Sequence, residues 1–348
     1  MTAWKAPVHT DHQLTRRRSP FRPLSTGGAI LCFHSITPRG SVEHGDAHVS
    51  LDDFASCIRI ARRWGEFVPL SELIARHIQG RSTSGLLAAT FDDGYAALQG
   101  EFRQFIQREG IPVAIFVVTD AARTGKTYWW DRVDNLFPRI EADRWRAFED
   151  VCGVSEAYRL GQPRTYGPLR PMRQWILAAY AGRWPSHLED ELERLEQEVG
   201  YKTRQHAMTF DELNRLAETP EIEIGVHTVS HPVLPLLSDA DVQQEILAAH
   251  DALRERVRHT IPVLAVPFGL YDARTLRLAS SAGMIACLTL SGETLGSLAF
   301  RSSIPRICIT KTDARSKLSL RLLGVPRLVR AVSGRRLQPF PDLPSATT

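Results

Sequence analysis

LLAATFDDGY, residues 86–95, sets two kinds of chemistry side by side: six residues suited to a strand, then Asp92, Asp93 and Gly94. An uncharged run of this length is the pattern of a strand buried on both faces, as in a parallel sheet. Carboxylates at the end of such a strand are costly to bury unless something uses them. Consecutive strand side chains point to opposite faces, but where the chain turns at Gly94 both carboxylates can reach one point. A plainer alternative makes Asp93 a helix cap and Asp92 an ion-pair partner. It leaves unexplained why both follow a buried-strand run.

Working outward, similar short runs recur from Gly28 onward: GAILCFH, EFVPL, VAIFVV, EIEIGVH, VLAVPFG, IACLTL and RICI. Helical patterns separate many of them. SLDDFASCIRIARRWG opens on a capping Ser50 and closes at Gly65. SDADVQQEILAAHDALRERV opens on Ser238 and carries Val242, Ile246, Ala249 and Leu253 at helical spacing. Strands alternating with helices predict an α/β fold with a parallel sheet, open or closed into a barrel.

The alternation breaks between about 124 and 208, a segment holding five of the seven tryptophans: Trp129, Trp130, Trp145, Trp175 and Trp184. Its clearest helix is SHLEDELERLEQEVG, where Ser186 and Glu189 have the spacing of a capping box and Gly200 closes the helix. A mostly helical insertion is expected, its tryptophans packing against the main body rather than serving as ligand platforms.

Composition sets outer bounds. The chain has 348 residues, 43% hydrophobic and 24% charged, with a net charge of +4. This is ordinary globular material with no electrostatic call for nucleic acid. The five cysteines include no CxxC pair and are read as reduced thiols, most of them in apolar runs. Residues 1–27 are polar and basic, a lead-in without an apolar signal core. The expected location is therefore cytoplasmic. Residues 311–348 carry eight basic and two acidic residues. SLRLLGVPRLVRAVSGRR in this tail mixes aliphatics with arginines, the pattern of a helix docked on the body or, as the alternative, of weak association with an anionic membrane surface.

Two more runs end in polar groups, at His227 and His231 (HTVSHP) and at Pro267-Phe268-Gly269. In parallel α/β folds sites assemble at such carboxyl ends. The first histidine ends a strand and Pro232 follows the second, so a tight loop bringing both rings together fits better than a helix. Two histidines and one carboxylate form a ligand set that leaves a position open for water. One aspartate can complete that set while the other takes a proton from the attacking water. The same ligand types serve iron oxygenases, but there one histidine lies beside the carboxylate in sequence.

TFDDGY, HTVSHP and VPFG, in that order, resemble the polysaccharide deacetylases, a carbohydrate esterase family. ILCFHSI is similar to that family's early strand, MTFDELNRLAETPEIEIGVHTVSHPVL to its helix leading into the histidine motif, and IPRICI to its closing strand. The resemblance implies a distorted (β/α) barrel of about seven strands spanning residues 28–310, with the helical insertion inside it. It also implies a divalent metal, commonly Zn2+, and hydrolysis of N-acetyl groups on amino sugars of a polysaccharide or its glycan precursor. Asp92 matches the general base. Asp93, His227 and His231 match the metal ligands, and Thr228 the hydroxyl that steadies their loop. Pro267 and Phe268 match the motif whose backbone N–H helps bind an oxyanion.

Three departures stand out. No arginine precedes Pro267, where many members place one that orients the base; Ala265 and Val266 stand there. The tryptophan motif after Phe268 is not evident, and RICITKTD lacks the late histidine that supplies the general acid. His34, ending the early strand, is the candidate acid; His44 and His48 are weaker ones. The alternative reading is a catalytically altered glycan-binding protein on the same fold.

Overall fold

The computed structural model describes residues 27–37, 45, 47–154, 170–295, 303–311 and 318–322. The uncharged runs become strands wherever they are long enough to bury: β1 (Ala29–Phe33), β5 (Leu86–Phe91), β6 (Val113–Val117), β7 (Ile222–Val226), β8 (Thr260–Ala265) and β9 (Ala286–Thr289). The shorter pieces are β2 (Ser35–Thr37), β3 (His48–Ser50), β4 (Glu66–Phe67), β10 (Ser303–Pro305) and β11 (Ile307–Cys308). Every ladder between them is parallel.

The main sheet runs β10-β9-β8-β7-β6-β5-β1-β11, with β4 paired beside β5. Its two outer strands are consecutive in the chain, separated by Arg306 alone. The path therefore returns on itself, and the sheet is a nearly closed (β/α) barrel. The path has eight strands rather than about seven. The extra one arises because residues 303–308 form a single kinked stave that pairs with β9 before Arg306 and with β1 after it.

Alternation sorts the core into two shells. Ile30, Ala88, Ala114, Phe116, Val263, Ala265, Ala286, Leu288 and Ile304 form one cluster inside the barrel, joined by Leu70, Leu73 and Ile74 from the helix Leu70–Ile78. Leu31, Phe33, Phe91, Ile115 and Ile224 belong to the outer shell, against helices such as Leu51–Ala61 and Asp239–Arg256. Those two helices start as predicted: Ser50 Oγ accepts from Asp53 N–H at 3.0 Å and Ser238 Oγ from Asp241 N–H at 3.2 Å. Inside, small residues make room for large ones. A Cβ on Gly225 would sit 2.4 Å from the Phe116 ring, so only glycine fits.

Between β6 and β7 lie the helices Thr119–Thr124, Trp129–Leu136, Ala142–Val151, Arg170–Ala179 and Glu189–Val199. Trp129, Trp145 and Trp175 are buried with Phe148, Ile176 and Leu192 in a core of the insertion's own, rather than against the main body as expected. The expected Ser186–Glu189 capping box does not form. Ser186 opens a 3₁₀ turn, the helix begins at Glu189, and Glu189 bonds to Arg132 instead. A true capping box occurs later, where Thr209 and Glu212 satisfy each other's backbone N–H.

Most of the basic tail, and residues 1–26 with His44, lie outside the described residues. The described turn Leu318–Leu322 packs Leu318 and Leu322 into the outer core, and Arg321 donates to the Cys308 carbonyl at 2.6 Å. Among the described residues no helix is long and apolar enough to cross a membrane.

Candidate active site

The carboxyl ends of β5, β7 and β8 converge as the strand-end argument predicts. Asp93 Oδ1 lies 3.4 Å from His227 Nε2 and 3.5 Å from His231 Nε2, with all three side chains buried. His227 follows β7 directly, and its Nδ1 meets the Ala265 carbonyl of β8 at 2.8 Å. That contact turns Nε2 toward Asp93, the usual way a ligating imidazole is oriented. His231 sits in a tight loop, not a helix. Thr228 Oγ1 accepts from its backbone N–H at 3.0 Å.

This geometry is held against local preference. Asp93, Thr228, His231 and Phe268 all have φ between 56° and 69°. Each left-handed non-glycine residue costs about 1–3 kcal/mol, and such residues gather at functional sites. The Tyr128 hydroxyl helps fix the first of them by donating to the Asp93 carbonyl at 2.5 Å.

The donor set suits a divalent cation. Asp93 Oδ1 is buried without a hydrogen-bond partner among the described residues, a costly state for a carboxylate with nothing to bind. Burial would raise the Asp93 carboxyl, but the neighbouring imidazoles outweigh it and hold it below its ordinary value. Burial and the nearby His227 push His231 down to about 3. A neutral imidazole beside an ionised carboxylate is the protonation state that ligation requires.

Asp92 points elsewhere. Both its oxygens are gripped by Arg306, Nη1 to Oδ1 at 2.6 Å and Nη2 to Oδ2 at 2.7 Å. Arg306 is wholly buried, lies over the Phe116 ring and also donates to Thr90 Oγ1 at 3.2 Å. Burial would raise Asp92, yet the guanidinium wins and holds it well below the carboxylate range. Although no arginine precedes Pro267, an arginine does hold Asp92. It comes from the closing strand instead of the residue before Pro267. Its signal was in IPRICI: an arginine inside an apolar strand is rarely buried without a partner.

His34 follows β1 on the same rim, near enough for its charge to act on Asp92, Asp93 and His231. It is half-buried, with Nδ1 unpartnered among the described residues. His48 is not a candidate acid. Its Nε2 is 2.7 Å from Asp131 Oδ1, while Tyr95 donates to Asp131 Oδ2 at 2.6 Å. That network joins the barrel to the insertion.

The turn Pro267–Gly269 spends the N–H groups of Gly269 and Leu270 on Val266 and Pro267 carbonyls, at 3.0 and 3.1 Å. The Phe268 ring lies 4.4 Å from the His231 ring, and Trp130 lies 4.9 Å from it on another side. Trp130 thus packs against the main body, as expected of the insertion's tryptophans. From His231 a cleft of about 1200 Å³ extends between barrel and insertion, lined by Tyr128, Trp129, Trp130, Arg132 and Trp184 among others.

The parallel barrel is shared with deacetylases of known structure. The chain is similar to IcaB from Ammonifex degensii, at 14% identity over 86% of this chain and 98% of that one, with a TM-score of 0.54. It is similar to the Streptococcus pyogenes deacetylase PplD, solved with acetate (14% identity, 83% and 94% covered, TM-score 0.51). A de-N-acetylase from Aggregatibacter actinomycetemcomitans matches comparably (12% identity, 85% and 99% covered, TM-score 0.51). These likenesses are of fold. Residues 175–287, which include the histidine and Pro-Phe-Gly motifs, match the family model described as polysaccharide deacetylase. Over those residues the chain is similar in sequence to the polysaccharide deacetylases, and over most of its length it shares the fold of solved members. No curated protein matches it.

Proposed function

We propose that residues 28–310 form a metal-dependent hydrolase that removes N-acetyl groups from amino sugars of a polysaccharide or its glycan precursor. The carrying observation is the pairing of two centres on one rim: the Asp93–His227–His231 cluster and the Asp92–Arg306 pair. In this reading Asp93, His227 and His231 hold a divalent cation, zinc by the ligand set, which would acidify a water and polarise the acetyl oxygen. Asp92 accepts a proton from the attacking water. Arg306 keeps that carboxylate ionised and aimed. The Phe268 N–H, the one its turn leaves over, donates to the oxygen as negative charge builds there. His34 returns a proton to the departing amine. The apolar faces of Trp130 and Trp184 give sugar rings a surface to lie on.

The names of similar proteins, a de-N-acetylase and a deacetylase holding acetate, support the same chemistry. The glycan-binding alternative drew on the absent arginine and the absent late histidine; Arg306 speaks against the first ground only. The test is acetate release from N-acetylglucosamine oligomers by zinc-loaded protein. Asp92→Asn is expected to keep its metal and lose about 10²–10⁴-fold in turnover, while His231→Ala loses the metal. Equal turnover of Asp92→Asn and wild type would overturn the assignment.

A further inference from the structure

The five cysteines divide into two kinds. Burial pushes the thiols of Cys152 and Cys287 up to about 12, as expected of inert core residues. Burial pushes the Cys32 thiol up as well, but Cys32 and Cys308 differ from these in placement. They are direct partners in the parallel ladder between β1 and β11, so their side chains stand on one face of the sheet. His34, two residues beyond Cys32, returns to that face. Both Sγ atoms and a ring nitrogen of His34 lie within 4.8 Å of one another.

Three further observations bear on this cluster. His34 Nδ1 is buried without a hydrogen-bond partner among the described residues. Cys32 is wholly buried while His34 and Cys308 are half-buried, which leaves an approach from solvent. The Cys308 thiol is held below its ordinary value, first by a hydrogen bond from Cys32 and then by the charges of His34 and Arg306. Two thiols beside an unsatisfied imidazole are a soft, tetrahedral-type donor set.

We propose that Cys32, His34 and Cys308 form a second cation site, specific for a thiophilic ion such as Zn2+ or Cd2+ and separate from the Asp93–His227–His231 centre. Two sulfurs and one nitrogen exclude Mg2+ and Ca2+, which require oxygen ligands. On binding, the thiol protons of Cys32 and Cys308 are released to solvent and the two thiolates neutralise the dication. The site is not isolated: Cys32 Sγ lies 3.5 Å from Asp92 Oδ2. Where His34 acts as proton donor, a role resting on the proposed function, an ion held here takes it out of use and excess zinc inhibits.

The test uses full-length protein with reduced thiols and one equivalent of Zn2+ already bound, titrated with Cd2+. A thiolate-to-cadmium charge-transfer absorption is expected, saturating at one Cd2+ per chain. Cys308→Ser should lose that band and weaken Cd2+ binding by at least about tenfold. Cys287→Ser should change neither. His34→Gln should keep a band but bind at least about tenfold more weakly, which covers the case in which the serine variant fails to fold. No band in the reduced wild type, or a full band in Cys308→Ser, would overturn the proposal. Acetate release without cadmium is assayed separately, so failure of the catalytic reading and failure of this site give different results.

Discussion

Two arginines, Arg306 buried and Arg132 half-buried, organise the two regions of this molecule under different conditions. In the barrel, Arg306 is sealed from water and grips Asp92 with both arms. In the insertion, Arg132 grips Glu196 through Nε at 2.9 Å and Nη2 at 2.8 Å, with Glu189 completing the set. Glu189 is 40% exposed and Arg132 12%, so solvent reaches this second cluster in part, although Glu196 itself is buried. The geometry of the two forks is alike. The difference lies in what happens when one partner is removed. An orphaned charge in the barrel has no water to turn to, whereas one at the insertion does in part.

Arg306→Ala should therefore give the largest loss of stability, about 3–5 kcal/mol, because it strands Asp92 in an apolar interior. Chemical denaturation measures this. Adding Asp92→Asn to the arginine variant should recover much of the loss, since the amide carries no charge. A cost under about 1 kcal/mol for the single variant would show that water reaches Asp92 and that the two regions do not differ as described.

Arg132→Ala should cost less, about 1.5–3 kcal/mol, the range for hydrogen bonds to charged groups that solvent partly replaces. Its effect should fall on the insertion first, seen as earlier loss of the tryptophan fluorescence signal. If it matched Arg306→Ala, burial would not be the deciding variable.

The smallest effect belongs to the joint between the regions, where His48 of β3 meets Asp131 of the helix Trp129–Leu136. Burial alone would lower His48. The hydrogen bond and charge of Asp131 outweigh it, so the imidazole titrates above its ordinary value. A raised folded-state value means that the stabilisation is complete below about pH 6.5 and is lost as pH climbs through the higher folded value. The stability of wild type over His48→Gln should shrink by on the order of 1 kcal/mol between about pH 5 and pH 8. A difference that grew with pH would reverse the assignment.

Much of this was legible before any coordinates. Each strand run quoted from the sequence contributes a strand, because a parallel sheet covered on both faces demands uninterrupted apolar segments. Ser50 and Ser238 cap helices since capping is a bond between near neighbours. The same local logic misled at Ser186, where Arg132 in another helix competes for Glu189. Trp130 could not be told from its neighbours: five tryptophans share one composition, and only packing assigns one of them to His231.

What the sequence determined alone was therefore local: where strands end, that Asp92 and Asp93 share one turn, and that His227 and His231 share one loop. A strand end and its turn are properties of a few consecutive residues. Barrel closure decided the rest. It brings Arg306 to Asp92 across 214 residues and sets Cys308 beside Cys32. Neither meeting has a local signature, because burial of the arginine and convergence of the thiols arise only when the last stave closes on the first.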